Sequence, residues 1–485
     1  MNINNVETNK ITSYDTFLLC ILVLSTLIGS NIIATIFQIA LILKALCVKK
    51  VSIIGVKELI ISALLGVEIA LIIFPILYLF TYVILRNGRF KNYHKNYIVL
   101  IIYAFIVALI SSVNEFLPLN LIAWVLIFSA PFCYYFYAIE YDGKKLENTN
   151  TLVFIEIIMF IEIGLILFQG IKGVGFQPSD LFIGTLNDAH KIGLLFFIFF
   201  FYGCYILKDT PNKLIGFMVI ISALVVEYLS DSKAILLSAA IAVFILLHFC
   251  LLFNKKLNSI IKFDQLLLLL LVIYTVFIFV VLFIDNAFQP AYDFFEPYLY
   301  GPLTSSKAIM YVRVWNDMLF DHSFEWLFGT GPGTLASRAS NMFSADILAK
   351  PNDVLPISSS TWTREYMAGL YDFEVLDNIR WVSAVLTYPF SGFISLKGEL
   401  GVVGMSMYIL TIFKMSYLLL SKSSNKYVSA FKLGLFVAVC TFIVALLFDN
   451  YHEQLVISAL FFIFIGIFTN EEVRNVRLKK NNYPN

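Results

Sequence analysis

Apolar runs of about 18 residues or more, mostly free of charge, recur along this chain and limit what it can fold into. In lipid, every backbone group must be satisfied internally, so such runs are helices or closed barrel strands. Barrel strands alternate polar and apolar residues, and these runs do not. The expectation is an all-α polytopic membrane protein. Composition agrees: of 485 residues, 60% are hydrophobic and 14% charged, against about 25% charged in soluble domains. The net charge of +1 gives no reason to expect a nucleic-acid partner. The six cysteines lie in or beside apolar segments and form no CxxC pair, which argues against a disulfide framework and a zinc site. The N-terminus lacks a short apolar core with a small-residue cleavage site, so the first helix is expected to be uncleaved.

About twelve transmembrane helices are expected, at 16–43, 59–85, 97–113, 119–139, 151–169, 191–207, 214–229, 234–253, 266–284, 400–420, 430–448 and 455–469. The first is long enough to be tilted or broken near Gly29. Residues 1–284 then carry nine helices, 285–399 a large loop with short helices, and 400–485 three helices and a tail. Basic residues set the orientation. Arg86, Arg89, Lys91 and Lys95 fall on one side with Lys144, Lys145, Lys208, Lys213, Lys255, Lys256, Lys262, Lys422 and Lys426. The opposite connections 114–118 and 449–454 carry no Lys or Arg. The positive-inside rule puts both termini in the cytoplasm and the large loop outside. Lys44, Lys49, Lys50 and Lys57 break the pattern, since twelve spans put them outside.

The large loop holds the densest chemistry. "FGTGPGTLASR", residues 328–338, packs Gly329, Gly331, Pro332 and Gly333 into a turn. It is no nucleotide loop, because no Gly-Lys-Ser/Thr follows. A tight turn accounts for the glycines; a backbone nest for an anion is the alternative. Four of the five tryptophans (Trp315, Trp326, Trp362, Trp381) and Arg313, Arg338, Arg364 and Arg380 lie in this loop among many carboxylates. Aromatic rings at a membrane face are commonly a belt, but rings among carboxylates and guanidinium groups also suit sugars. Residues 305–320 read as an amphipathic helix with Ala308, Tyr311, Val312, Trp315 and Leu319 on one face. On the other face Arg313 and Asp317 are placed to form an exposed pair. Two further outer spots are "SDSKAILL", with Lys233, and "TLNDAHKIG", with Asn187, Asp188, His190 and Lys191. Glu68, Glu156, Glu162 and Glu227 lie within spans, where carboxylates often mark ion paths.

The order of "SDSKAILL", "YVRVW…FGTGPGTLASR" and "SGFISLKGELGVVG" resembles the Wzy-type O-antigen and capsular polysaccharide polymerases, in the superfamily that includes the O-antigen ligases. The resemblance runs from about residue 185 to the C-terminus. It departs in having Lys233 where relatives commonly have arginine. It also has Ser391-Gly392 where many, especially ligases, have a histidine-asparagine pair. It implies an integral-membrane glycosyltransferase of the GT-C-like kind in the bacterial inner membrane. Such an enzyme moves a growing glycan from undecaprenyl diphosphate to a fresh repeat unit on the same type of carrier, without metal or nucleotide. Its pathway partners would be a flippase and a chain-length regulator. Arg313, Lys233, Arg338 and Lys191 would grip diphosphate. Arg364, Arg380, Trp315, Trp362 and Trp381 would bind sugar. His190, Glu399, Asp377 and Asp317 are candidate bases, with no choice among them. An O-antigen ligase, or a transporter such as a lipid-linked oligosaccharide flippase, remains open.

Overall fold

Glycine 29 divides the first expected span. The computed structural model describes residues 12–47, 51–85, 92–113, 115, 117–141, 145–174, 181–186, 188–209, 212–252, 265–284, 306–342, 359–367, 370, 390–417, 419 and 429–481. Helix α1 (Ser13–Ile28) starts from a capping box on Thr12 and stops at Gly29, whose φ is 65°. Helix α2 (Asn31–Leu46) then starts from Ser30. A straight helix would hold Tyr14 and Lys44 about 45 Å apart. Instead the Lys44 ammonium donates to the Tyr14 hydroxyl at 2.6 Å. The expected single span is therefore an antiparallel hairpin, tilted and broken being too mild a description.

The second expected span is also broken. Helix α3 (Ile53–Leu64) ends before Gly66, which has φ 75°, and α4 (Glu68–Phe80) follows. Ser62 lies beside the Tyr134 hydroxyl, while Phe74 stacks on the Tyr134 ring at 3.9 Å. In a straight helix those two residues would be about 18 Å apart. The charges that broke the orientation pattern are tied into this arrangement. Lys57 is buried and meets Asp15 at 2.7 Å, and Lys44 meets Glu58 at 3.2 Å.

Helices coincide with the remaining ten expected spans, among them α5 (Lys95–Ser111); Gly392–Tyr417 begins eight residues early and Leu455–Asn481 ends twelve residues late. The described residues contain helices and no strand. Among the described residues, four helices are long and apolar enough to cross a membrane: Pro118–Glu140, Val153–Lys172, Ala189–Lys208 and Gly392–Tyr417. Shorter apolar helices of 10–17 residues accompany them. Ile32, Leu109 and Leu214 are 74%, 68% and 72% exposed, an apolar surface that suits lipid and not water.

The chain forms two compact units. The first comprises Met1–Arg89, Ala130–Ser232 and Leu455–Asn485. Within it, Gly203 and Gly216 let the helices Ala189–Asp209 and Lys213–Leu229 pack almost backbone to backbone. Glu162 is fully buried and accepts the Thr185 N–H at 3.0 Å. The second unit comprises Phe90–Ser129 and Lys233–Gln454. There the loop builds a core of its own from Met310, Val314, Met318, Leu335, Tyr366 and Met367. The helix at 306–321 carries a π-bulge at Arg313–Asp317. That extra residue rotates the buried face onto Met310, Val314 and Met318 and leaves Leu319 exposed, correcting the face expected from simple periodicity.

Candidate functional site at the glycine turn

Three glycines in five residues are needed because the turn runs against backbone at Gly329 and Gly333 and against the Ser111 side chain at Gly331. Gly329, Gly331 and Gly333 have φ values of 99°, 113° and 76°, as a glycine turn should. A Cβ on Gly329 would lie 2.2 Å from the Glu399 carbonyl oxygen. Gly401 answers it from the other strand of the contact. It breaks the Gly392–Tyr417 helix with φ 68°, and its Cβ would lie 2.2 Å from the Leu327 carbonyl oxygen. The Thr330 N–H donates to Gly398 at 2.9 Å and the Gly331 N–H to Glu399 at 3.0 Å. The Tyr103 hydroxyl reaches the carbonyls of Phe328 and Leu400 at 2.9 and 2.8 Å. The segments "FGTG" and "ELGVVG" are thus one interlocked element. Asn120 donates to the Gly333 carbonyl at 2.9 Å and closes the turn from a further side.

The turn does form an anion nest, but the chain fills it. The Glu399 carboxylate accepts the N–H groups of Gly333, Leu335 and Ser337 at 2.8, 3.1 and 2.9 Å. Glu399 has no exposed surface, so it organises the turn and has no oxygen free to take a proton from an acceptor hydroxyl. Glu453 continues the pattern and accepts the Arg338 N–H at 2.6 Å. Burial, and then the neighbouring Glu399, push the Glu453 carboxyl up to about 8. Beside it, burial pulls the His452 imidazole down to about 3. Their 3.5 Å approach therefore joins two neutral groups and is no ion pair. Lys307 is buried too, donates to the Phe448 carbonyl, and is drawn down to about 8 by desolvation.

The arginines differ in surroundings. Arg338 is half-buried and its guanidinium donates to the Glu453 carbonyl at 3.3 Å. Arg313 donates to the Tyr366 carbonyl, and among the described residues no ion pair joins it to Asp317. Tyr366 is pushed up to about 12 by burial, then by Glu365, Asp321, Asp317 and Glu325. Those four carboxylates make this end acidic. Arg364 is exposed and folds back on Ser359, donating to its hydroxyl and carbonyl at 2.9 Å each. Trp362 packs edge-on to His322 at 4.9 Å. It also lines a small cleft with Val107, Ile110, Ser111, Phe324, Glu325 and Thr330. Trp315 is committed elsewhere: the buried Lys397 ammonium lies 5.6 Å from its ring and 5.1 Å from that of Trp326.

Lys191 and His190 stand in the first unit, Lys233 and the arginines in the second. Lys191 lies between Glu68 at 3.8 Å and Asp188 at 3.7 Å, so its charge is already met. Asp188 caps its helix through the N–H groups of His190 and Lys191. Lys233 opens the helix Lys233–Leu252. Asp377, Arg380, Trp381 and Asn187 lie outside the described residues. Among the described residues, no three of His, Cys, Asp and Glu gather as metal ligands.

Sequence reasoning missed Glu453, His452, Asn120 and Lys397. The connection "DNYHEQ" at 449–454 was noted only for lacking lysine and arginine. Six polar or aromatic residues between two apolar helices were themselves the signal. No protein-family model matches this chain, and no curated protein matches it.

Proposed function

We propose that this protein is a polymerase of surface polysaccharide. It moves a growing glycan from one undecaprenyl diphosphate carrier to a lipid-linked repeat unit outside the cytoplasmic membrane. The observation that supports this best is the interlock of the glycine turn with the Glu399–Gly404 segment beside the aromatic, acidic cleft. These are the two stretches that carry the resemblance, and they build one rigid element with sugar-binding chemistry next to it. Trp362 offers an apolar ring, and Glu325, Glu365, Asp317 and Asp321 offer acceptors for hydroxyls.

The acidic surroundings reassign the arginines. A diphosphate would be repelled by the four carboxylates around Tyr366, so Arg313 belongs with the sugars. Arg338 follows a turn whose carboxylates are already satisfied or protonated, and it is the better partner for the leaving diphosphate. Of the candidate bases, Asp317 is the one that stands in this acidic cluster, around the Tyr366 that Arg313 bonds, and we assign the acceptor hydroxyl to it.

The breaks at Gly29 and Gly66 support the expected orientation, with both termini cytoplasmic and the loop outside. If the chain reverses at each, Lys44 and Lys57 return to the cytoplasmic side with the later basic connections, and Lys172 and Lys233 stay on the outer side against the trend.

The test is the surface glycan of a deletion strain. Loss of a polymerase leaves glycan capped at one repeat unit; long chains held on the carrier, or units trapped inside, would refute the proposal. A transporter is the second reading, favoured by the buried Glu162 and Glu227 of the first unit.

A further inference from the structure

We infer that the groove between the start of α5 and the end of the Gly392–Tyr417 helix is a binding site for one anionic phospholipid. The groove, of about 500 Å³, is open along one side. Lys95, Asn96, Lys414 and Tyr417 form its polar end, and Val99, Met407, Leu410 and Phe413 its apolar wall. Lys414 donates to the Asn96 side-chain oxygen at 3.3 Å, which fixes one ammonium over the groove. Leu410 is 65% exposed, so the apolar wall needs a lipid tail or an equivalent cover. Two lysines at one end of an apolar trough match a phosphate headgroup above acyl chains.

Helix stability does not account for both lysines. Lys414 sits in the last turn of its helix, where a cation complements the macrodipole. Lys95 opens α5, where a cation opposes it, and no acidic residue offsets it in that first turn. Snorkelling alone places a lysine at a membrane edge but does not pair two on one groove. The inference is independent of the polymerase reading.

The experiment places the purified full-length protein in bilayers of mixed phosphatidylglycerol and phosphatidylcholine and measures lipid retained by native mass spectrometry. Wild type should retain phosphatidylglycerol, and the Lys95→Gln/Lys414→Gln protein should lose that preference by about 30-fold. Leu410→Ala/Phe413→Ala should weaken retention of both lipids. The exposed Lys172→Gln is the charge control and should change neither. Equal retention by wild type and the double lysine variant would overturn the inference. So would displacement of the phospholipid by an added polyprenyl phosphate at equal concentration.

Discussion

Replacing Gly401 with alanine should loosen the interlock of the glycine turn with the Glu399–Gly404 segment, and Gly29 provides the matching control. Both glycines have φ near 65°, at 68° and 65°. At Gly29 an added Cβ meets nothing within 4 Å, so Gly29→Ala carries only left-handed strain, about 1–2 kcal/mol. At Gly401 the backbone strain is of order 1–3 kcal/mol. Its Cβ would also lie 2.2 Å from the Leu327 carbonyl oxygen and 2.5 Å from the Phe328 carbonyl carbon. Those are main-chain atoms and cannot rotate aside. Overpacking of that kind costs about 1–3 kcal/mol. The segments must then part, and the hydrogen bonds from Thr330 and Gly331 are worth about 1 kcal/mol each. Gly401→Ala should therefore cost about 4–8 kcal/mol. Intrinsic tryptophan fluorescence suits the assay, because four of the five tryptophans lie between residues 315 and 381. In detergent, the apparent midpoint should fall by at least about 10 °C for Gly401→Ala and by about 2–6 °C for Gly29→Ala. If Gly401→Ala loses no more than Gly29→Ala, backbone contact does not hold the turn in place.

Other changes test separate links. Glu453 keeps its proton up to about 8 when folded, against an ordinary value of 4.5, so the stability it contributes is full below pH 4.5 and is lost as pH rises through 8. The midpoint should drop between pH 5 and 8.5, and Glu453→Gln, which still accepts the Arg338 N–H, should flatten that slope; parallel slopes would refute the assignment. Lys57→Met strands Asp15 in a buried site and should cost about 3–5 kcal/mol by thermal melting, much of it recovered in the Asp15→Asn/Lys57→Met double variant. On the proposed polymerase activity, Arg338→Ala should slow chain elongation from lipid-linked repeat units by about 30- to 1000-fold, whereas Arg313→Ala should mainly raise the acceptor KM. A larger kcat loss from Arg313→Ala would return the diphosphate to that residue.

Most helices were legible because apolar length is a local property. The ten later spans match to within a few residues at most ends. The break at Gly29 was legible, but the reversal there and the break at Gly66 were not, because a glycine within an apolar run looks the same whether the helix bends or reverses. At Gly29 only the distant contact Tyr14–Lys44 decides it. Within the turn, the glycines announced positive φ, but sequence left their partner open. An anion nest was one of two readings, and its occupant proved to be Glu399, 66 residues on from Gly333. The buried face of the 306–321 helix was misread because a π-bulge adds a residue that periodicity does not count.

The Asp15–Lys57 pair bears on the order in which the protein is made. Asp15 leaves the ribosome 42 residues before the lysine that neutralises it. Until α3 emerges, the α1–α2 hairpin carries an unmatched carboxylate at its start. Once Lys57 arrives, the first three helices close as an electrically balanced module while most of the chain is still unwritten. The pair can therefore close only after the chain has been made as far as α3, which ends at Leu64.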